Sequence, residues 1–447
     1  MIKHRRYVTP SGWNAVASNR VQWRALGGDL SVAFLVVGAG YAGLAAARRL
    51  AELYPDEVIA LIDAGQPAEN SSGRNSGFMI DLPYAKIDAR SAPEQSQWQI
   101  DLLRAGKDFL QTIVDAHGIA CGWRQIGHYK AATTDFGVAQ LRGVEATLRQ
   151  HRVPFRELTA EEVERELGSR YYKKAIWLES CTLVQPAELV HGLVEALPAN
   201  VQAYFDTPVE RISGRRPYCV LAGGHEIRAR QILLCVNADM PEFGHAKYRQ
   251  LTLYTYAGMT RELSPAEAAV FGAADDWGLT PVERLEATSR KVGGRRYMLR
   301  AGFSYKNELP SEAVSEVLAG MLRVRYPQLP GNMFEHVWGG AVSLTRNGDP
   351  YLRQATLRQA SLRQADLRQA TGGVHAVSGC NASGILKMSA MGKLLAESVA
   401  GVESALLGQT RAFSRPGFIP PDPLRRIAVH LSINRIARAM KRPAHSL

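Results

Sequence analysis

From Ser31 onward the chain alternates short apolar runs with stretches of helical period. Val32, Phe34, Leu35, Val36 and Val37 predict a strand, and small and apolar residues running to Tyr54 predict a helix. After a Pro-Asp break, Val58 to Ile62 predicts a second strand, so the segment reads as a βαβ unit. Helical period returns at 94–117 and at 134–150, the latter charged enough to face solvent. Thr159 with Glu162 is a capping box opening a helix over 160–167, and Pro186 opens another that runs to Leu197. Thr207 to Ile212 and Ile232 to Val236 are short apolar strands.

A different pattern occupies 245–310. Alternation in Leu251–Tyr256 and in Arg296–Phe303 predicts a separate antiparallel sheet, with a long loop or helix from Ser264 between the two strands. The expected class is α/β: a discontinuous, doubly wound dinucleotide-binding domain with an inserted antiparallel-sheet (α+β) substrate domain. The expected divisions are an arm over 1–30, cofactor-domain segments over 31–95, 185–243 and 336–410, a mostly helical substrate-domain segment over 96–184, and its sheet over 244–335. Residues 1–30 lack a period and carry Pro10, Gly12, Gly27 and Gly28, which predicts an extended arm laid over the body and pinned by Trp13 and Trp23.

Two segments stand apart. LRQAT, LRQAS, LRQAD and LRQAT occupy 352–371 in tandem, and a period of five matches neither helix nor strand, so the repeat reads as an expanded surface loop. The tail over 411–447 has Leu424, Ile427, Leu431, Ile436 and Met440 near one helical face with arginines around them, which predicts a helix docked on the body or, less simply, laid on an anionic membrane.

Composition narrows the class. With 46% hydrophobic and 21% charged residues the chain is neither fibrous nor disordered. The net charge of +12 invites a nucleic-acid reading, but the tail carries +7 and the repeat +3, which leaves a near-neutral body and argues against nucleic acid. Cys121, Cys181, Cys219, Cys235 and Cys380 form no C-x-x-C pair, so reduced thiols, a cytoplasmic location and no metal centre are expected. No apolar run follows the basic residues at Lys3 to Arg6, and none elsewhere has the ~18 residues of a membrane span, so neither export nor a transmembrane helix is expected.

Candidate chemistry begins at Gly38-Ala39-Gly40-Tyr41-Ala42-Gly43, between a strand and a helix, with Asp63 ending the next strand 20 residues later. Gly38 permits the tight turn, Gly40 lets a pyrophosphate approach the backbone, and Gly43 lets helix and strand pack closely. The phosphates then meet free N–H groups at the helix start, and Asp63 can accept both hydroxyls of a ribose. Asn70 to Gly77 follows as a polar glycine-rich loop, whose Ser72, Gly73, Arg74, Asn75, Ser76 and Gly77 suit a long anionic dinucleotide.

These segments, with four more in the same order, resemble the FAD-dependent D-amino-acid oxidase superfamily, in its glycine, sarcosine and γ-glutamylputrescine oxidase branches. VVGAGYAGLAAARRLAE with LIDA, then SGRNSGF, resemble its first two signatures. Thr207 to Ile212 resembles the strand that meets the adenine, which implies Val209 there, and Ile232 to Ala238 resembles the strand ending in Asn237 and Ala238 near the dinucleotide. Trp338 to Gly340 with Thr345 to Pro350 is similar to a flavin-lining segment that implies Gly340. Val374 to Gly384 resembles the last flavin signature, which implies Gly379, Asn381, Ser383, Gly384 and Ile385, with another helix N-terminus aimed at the flavin.

The resemblance implies FAD, oxidation of a C–N bond of a small amine or amino acid, or of a γ-glutamyl amine, by hydride transfer to the flavin, and reoxidation by oxygen. A dehydrogenase passing electrons to a quinone or carrier, and a flavin-binding protein without turnover, are the competing readings. Cys380 stands where many relatives carry an aromatic residue, and no cysteine follows Thr345 to Pro350 at the tethering position of sarcosine oxidases, so FAD is expected to be non-covalent. Arg300, on a strand like the family's Y-x-R element, is the expected clamp for a substrate carboxylate, with Arg290 and Lys306 as rivals. Tyr254 and Tyr256 are expected to line an amine pocket; no catalytic residue is assigned, and His128, Tyr129 and His375 receive no role.

Overall fold

The computed structural model describes residues 1–82, 93–305, 307–355 and 372–440. Lys306 and all but the first four residues of the pentapeptide repeat lie outside them. The chain opens with α1 (Gly12–Ala15), β1 (Leu30–Val37), α2 (Tyr41–Leu53), β2 (Ile59–Ile62), a 3-10 turn at Ser71–Gly73, β3 (Phe78–Ile80) and α3 (Pro93–His117). It continues through β4 (Arg124–Gln125), β5 (His128–Ala132), α4 (Asp135–Gln150), β6 (Arg156–Leu158), α5 (Ala160–Leu167), β7 (Lys174–Leu178), β8 (Cys181–Leu183) and α6 (Pro186–Glu195). Then come β9 (Val201–Tyr204), β10 (Val209–Ser213), β11 (Tyr218–Ala222), β12 (His225–Leu234) and β13 (Gln250–Thr260). The last third holds α7 (Pro265–Val270), β14 (Trp277–Pro281), β15 (Thr288–Val292), β16 (Arg296–Tyr305), α8 (Ser311–Arg325), β17 (Phe334–Thr345), β18 (Tyr351–Ala355), β19 (Val374–Ser378), α9 (Gly384–Ala400), α10 (Ala405–Phe413) and α11 (Leu424–Ala439).

Local chemistry places many of these boundaries. The capping box at Thr159 and Glu162 is formed in full, and Ser264 with Glu267 forms a second one that opens α7. Pro186 sits in the first turn of α6, where its missing N–H costs nothing.

Two large sheets organise the body. In the first, β9, β2, β1, β12 and β19 run parallel, and the β10–β11 hairpin and β18 add antiparallel edges. Helices α2, α3, α6 and α9 bury Leu50, Trp98, Val190 and Met391 over one face, while Leu26, Met240 and Phe243 pack on the other. Helix α2 meets α9 so closely that a Cβ on Gly392 would fall 2.0 Å from the Ala42 carbonyl oxygen.

The second sheet has the order β17-β13-β16-β15-β14-β5-β7-β6. Its core stacks Phe271 on Tyr297 and Tyr326, beside a fully buried Arg325–Glu286 ion pair. This sheet departs from expectation in three ways. Strands β5, β6 and β7 come from a stretch read as mostly helical. Neighbours β14 and β5 run parallel, so the sheet is mixed. Strand β17 pairs with β13 along its length, so residues up to Thr345 belong here and not with the cofactor segments expected from 336.

The tail helix also corrects its expectation. Ile433, Ile436, Ala437 and Met440 dock against Leu285 and Phe303, whereas Leu424, Ile427 and Leu431 are 61%, 52% and 64% exposed. The two groups are half a helical turn out of phase, so a single apolar face through all of them does not exist. Continuing the exposed row leads to Arg435 and Arg438.

Ala355 of β18 pairs with Val374 of β19, so the repeat connects two adjacent antiparallel strands. Deleting three of the four copies, fifteen residues, shortens that connection from eighteen residues to three, a length that hairpins accept. The shortened protein is expected to keep its bound cofactor and its melting temperature within a few degrees, read by absorbance and thermal denaturation; loss of the cofactor would make the repeat part of the site.

Candidate functional site

The glycine turn after β1 forms the floor of the first cavity. Gly38 has φ +99°, a conformation only glycine takes without cost, and a Cβ on Gly43 would lie 1.6 Å from the Gly38 carbonyl oxygen. Helix α2 therefore starts hard against the turn. Its N-cap is Gly40, which supplies no side-chain acceptor to the first N–H groups.

Helix α9 ends its approach in the same state. Asn381 and Ala382 hold φ of 50° and 60° just before it, and its N-cap Ser383 makes no side-chain cap. Helices α4, α5, α6, α7 and α10 all carry such caps. Two uncapped helix starts thus meet one cavity system, and each is a partial positive charge with free donors.

Asp63 braces the turn. Its carboxylate accepts from the Ala39 N–H at 2.7 Å, the Gly65 N–H at 3.0 Å and the Asn70 side-chain amide at 3.1 Å. Burial pushes its pKa up, and the Gly65 and Ala39 N–H groups pull it back. With three acceptor sites committed, the carboxylate has little left to take both ribose hydroxyls, as the sequence suggested.

The first cavity is lined by Gly38, Gly40, Tyr41, Ala42, Asp63, Ser72 and Asn75 at one end, and by Val209, Asn237, Ala238 and Gly384 farther along. Three contributors come from the N-terminal arm: His4, Arg5 and Tyr7. Arg5 pairs with Asp239 at 3.0 Å and donates to the Tyr254 hydroxyl at 2.6 Å. Desolvation is the largest single influence and opposes its charge, but Asp239 together with Tyr254 and Tyr7 outweighs it and the guanidinium pKa moves up. The Tyr7 hydroxyl shares a hydrogen bond with Ser71 Oγ at 2.9 Å and accepts from the Ala341 N–H. The arm was read as an extended cover; its part in the cavity wall was missed. The basic–aromatic run from Lys3 to Tyr7 was the available signal.

Arg74 serves this same seam. It donates to the carbonyls of Gly339, Glu69 and Thr9 and lies 4.0 Å over the Tyr7 ring. Three of its donors go to backbone and it lies 4.0 Å from Glu308, although it also borders the second cavity described below. Gly43, Gly73 and Gly77 likewise act by close packing; a Cβ on Gly73 would lie 2.1 Å from the Ala68 carbonyl oxygen, and one on Gly77 2.2 Å from that of Val184. Gly379 and Asn381 shape the loop before α9, the Asn381 side chain accepting from the Thr345 N–H and donating to the Gly348 and Gly379 carbonyls.

A second cavity of about 930 Å³ adjoins the first, and Ser71, Asn75, Ala341, Val342, Ala382 and Gly384 line both. Ser76, Gly340, Ser383 and Ile385 also border the second. The face of the second sheet forms one wall, and α4 contributes Gln140 and Thr147.

Arg300 of β16 lines this cavity and makes no hydrogen bond or ion pair with a described residue; burial alone lowers its pKa. Its rival Arg290 is committed to the carbonyls of Val184 and Ser76, with burial pushing its pKa down to about 10. Lys306 lies outside the described residues. Of the two tyrosines, Tyr256 lines this cavity, its hydroxyl bonded to Ser304 Oγ and accepting from the Leu309 N–H, whereas Tyr254 lines neither cavity and accepts from Arg5. Lys130 of β5, which no local pattern singles out, also lines the cavity. Burial presses its ammonium down to about 8, against a pull upward from Glu283.

Among the described residues no helix is long and apolar enough to cross a membrane, and no group of three or more His, Cys, Asp or Glu could hold a metal ion. Two uncapped helix starts at one cavity system present free N–H donors of the kind that suit an anionic ligand.

A family model described as "FAD dependent oxidoreductase" matches residues 33–398. The chain is 23% identical over 425 residues to "Probable oxidoreductase OrdL" of Rhizobium meliloti (strain 1021), covering 91% of this chain and 92% of that one. It is 24% identical over 350 residues to the "Gamma-glutamylputrescine oxidoreductase" of Escherichia coli (strain K12), covering 76% and 81%. Its fold is like that of the glycine oxidase from Geobacillus kaustophilus, with TM-score 0.68, 18% identity, and 84% and 96% of the two chains covered.

The arm generates the test of the first cavity. Replacing Arg5 and Tyr7 together by alanine is expected to leave the circular dichroism spectrum unchanged and to raise the dissociation constant of the cofactor about tenfold or more, about 1.4 kcal/mol, read by the fluorescence of cofactor released on dilution. Unchanged retention would show the arm to be a passive cover.

Proposed function

The chain belongs to the family of FAD-dependent oxidoreductases and takes FAD as its cofactor, and from that premise we propose that it oxidises a C–N bond of an amine or amino acid bearing a carboxylate. One observation carries this reading: Arg300, a half-buried guanidinium without a partner among the described residues, borders the cavity that adjoins the proposed dinucleotide site. An uncompensated buried cation costs stability unless a ligand neutralises it, and a planar guanidinium matches a carboxylate in two parallel hydrogen bonds. The names of two similar proteins, an oxidoreductase of γ-glutamylputrescine and an oxidase of glycine, support an amine-bearing substrate.

The residues present fit FAD. The open start of α2 suits the pyrophosphate, and the glycines there leave a cradle, since a Cβ on Gly40 would come 2.6 Å from Ser72 Oγ. When bound, FAD supplies the acceptor for the hydride lost from the carbon beside the nitrogen. The binding is read as non-covalent. Arg300 holds the carboxylate, which fixes the orientation of that carbon. The open start of α9 favours negative charge beside the ring. Of the carboxylates in the second cavity, Glu286 pairs with Arg325 and Tyr171, and Glu283 Oε1 accepts from the N–H and hydroxyl groups of Thr133 and Thr134 while its Oε2 is buried without a hydrogen-bond partner among the described residues. Orientation by Arg300 and exclusion of water are the proposed means of catalysis, with the amine reacting in its neutral form.

Oxygen is the proposed oxidant for reduced enzyme. A second reading, delivery of electrons to a quinone or carrier, is favoured by the exposed row of Leu424, Ile427 and Leu431 leading into Arg435 and Arg438, which suits an anionic lipid surface. Peroxide released in step with substrate separates the two.

Anaerobic titration of the holoenzyme with a panel of amines and amino acids is expected to bleach the flavin with at least one carboxylate-bearing amine. Arg300→Met is expected to raise KM for that substrate about a hundredfold, as loss of a charge-assisted pair worth roughly 3 kcal/mol predicts, with a smaller change in kcat. An unchanged KM would remove Arg300 from substrate binding.

A further inference from the structure

The register of the second sheet places Arg300 in a transverse row. Arg300 of β16 is paired with Ala257 of β13 on one side and with Thr288 of β15 on the other. Leu279 pairs with Ser289, so the next residue, Thr280 of β14, faces Thr288, and Thr280 pairs in turn with Lys130 of β5. Residues in register across a sheet present their side chains to the same face, and all five of this row line the second cavity.

The row therefore carries two cations, Lys130 at one end and Arg300 one strand in from the other. Arg300 and Lys130 are separated by three strand spacings, roughly 14 Å. Among the described residues neither has a carboxylate within ion-pair distance. Lys130 Nζ makes one long contact, 3.5 Å to the Pro281 carbonyl, and Arg300 makes none with a described residue. Glu286 is held by Arg325, and Glu283 draws the Lys130 pKa upward from beyond ion-pair distance, its Oε1 taking the four donors of Thr133 and Thr134 and its Oε2 buried without a hydrogen-bond partner among the described residues. Between the cations the Thr280 hydroxyl is buried without a hydrogen-bond partner. A third cation, Arg284, is exposed and also borders the cavity.

We propose that the substrate is a dianion lying across the strands, its amino-acid carboxylate on Arg300 and a second carboxylate, at the far end of an extended chain, on Lys130. This rests on the carboxylate reading of Arg300 and extends it to the substrate class. The cavity is larger than glycine needs, and its charge selects the far end: an ammonium there would meet Lys130 with like-charge repulsion, and a methyl group would leave both the ammonium and the Thr280 hydroxyl unpaired.

Calorimetric titration of the holoenzyme tests this without requiring turnover. The probes are straight-chain α,ω-dicarboxylates from glutarate to sebacate and the monomethyl ester of each. The best diacid is expected to bind at least tenfold tighter than its own ester. Lys130→Met brings the diacid to the affinity of the ester, Lys130→Arg keeps the preference, and Arg300→Met weakens both; flavin content verifies that each variant is folded. Equal affinities of diacid and ester in the unaltered protein, no binding of either, or a preference that survives Lys130→Met would overturn the proposal. If the preference holds while no amine bleaches the flavin, the oxidation reading fails and the two-cation site stands; bleaching without preference gives the reverse.

Discussion

The constraint on which the cofactor half depends is a helix start left without partners. Backbone N–H groups at a helix N-terminus must be satisfied, and most helices of this chain do it with a serine, threonine or glutamine side chain. At α2 and α9 the chain withholds that side chain. The N–H groups stay available, and the surrounding contacts keep them so. Gly43 brings α2 against the turn, Gly392 brings α9 against α2, and Asp63 ties the Ala39 N–H to the end of the neighbouring strand.

What closes over those groups comes from far away in sequence. The Arg5–Asp239 pair and the bond from Tyr7 to Ser71 bring the first residues of the chain onto the wall of the dinucleotide cavity. Arg74 then ties the arm to β17 through the carbonyls of Thr9 and Gly339. Arm, polar loop and second sheet thus meet at one seam, beside the residues that line both cavities.

Much of the cofactor site was legible in the sequence because its signals are local. A glycine turn between a strand and a helix, an acid at the end of the next strand, and an uncapped helix after Val374–Ser378 each sit within a short window. The capping boxes were legible for the same reason. The second sheet was less so: β14 and β15 are short and buried, without clean alternation, and the pairing of β17 with β13 spans some eighty residues. Of the expected amine-pocket tyrosines, Tyr256 lines the second cavity and Tyr254 lines neither cavity; a strand pattern does not say what meets a hydroxyl. Tyr254 is taken by Arg5, from the other end of the chain. For the tail, a list of apolar residues was taken for one face when helical geometry splits it into two. Lys130 carried no local signal, since its meaning comes from the register that aligns it with Arg300.

The central claim is that this chain holds FAD in a preformed cavity through open helix starts, without a covalent bond. The visible absorption spectrum of the purified protein, recorded before and after unfolding and removal of the polypeptide, tests it most directly. A flavin spectrum near one equivalent per chain, recovered in full in the supernatant, is the predicted result. A colourless folded protein that takes up no FAD, or colour that stays with the unfolded chain, would contradict it.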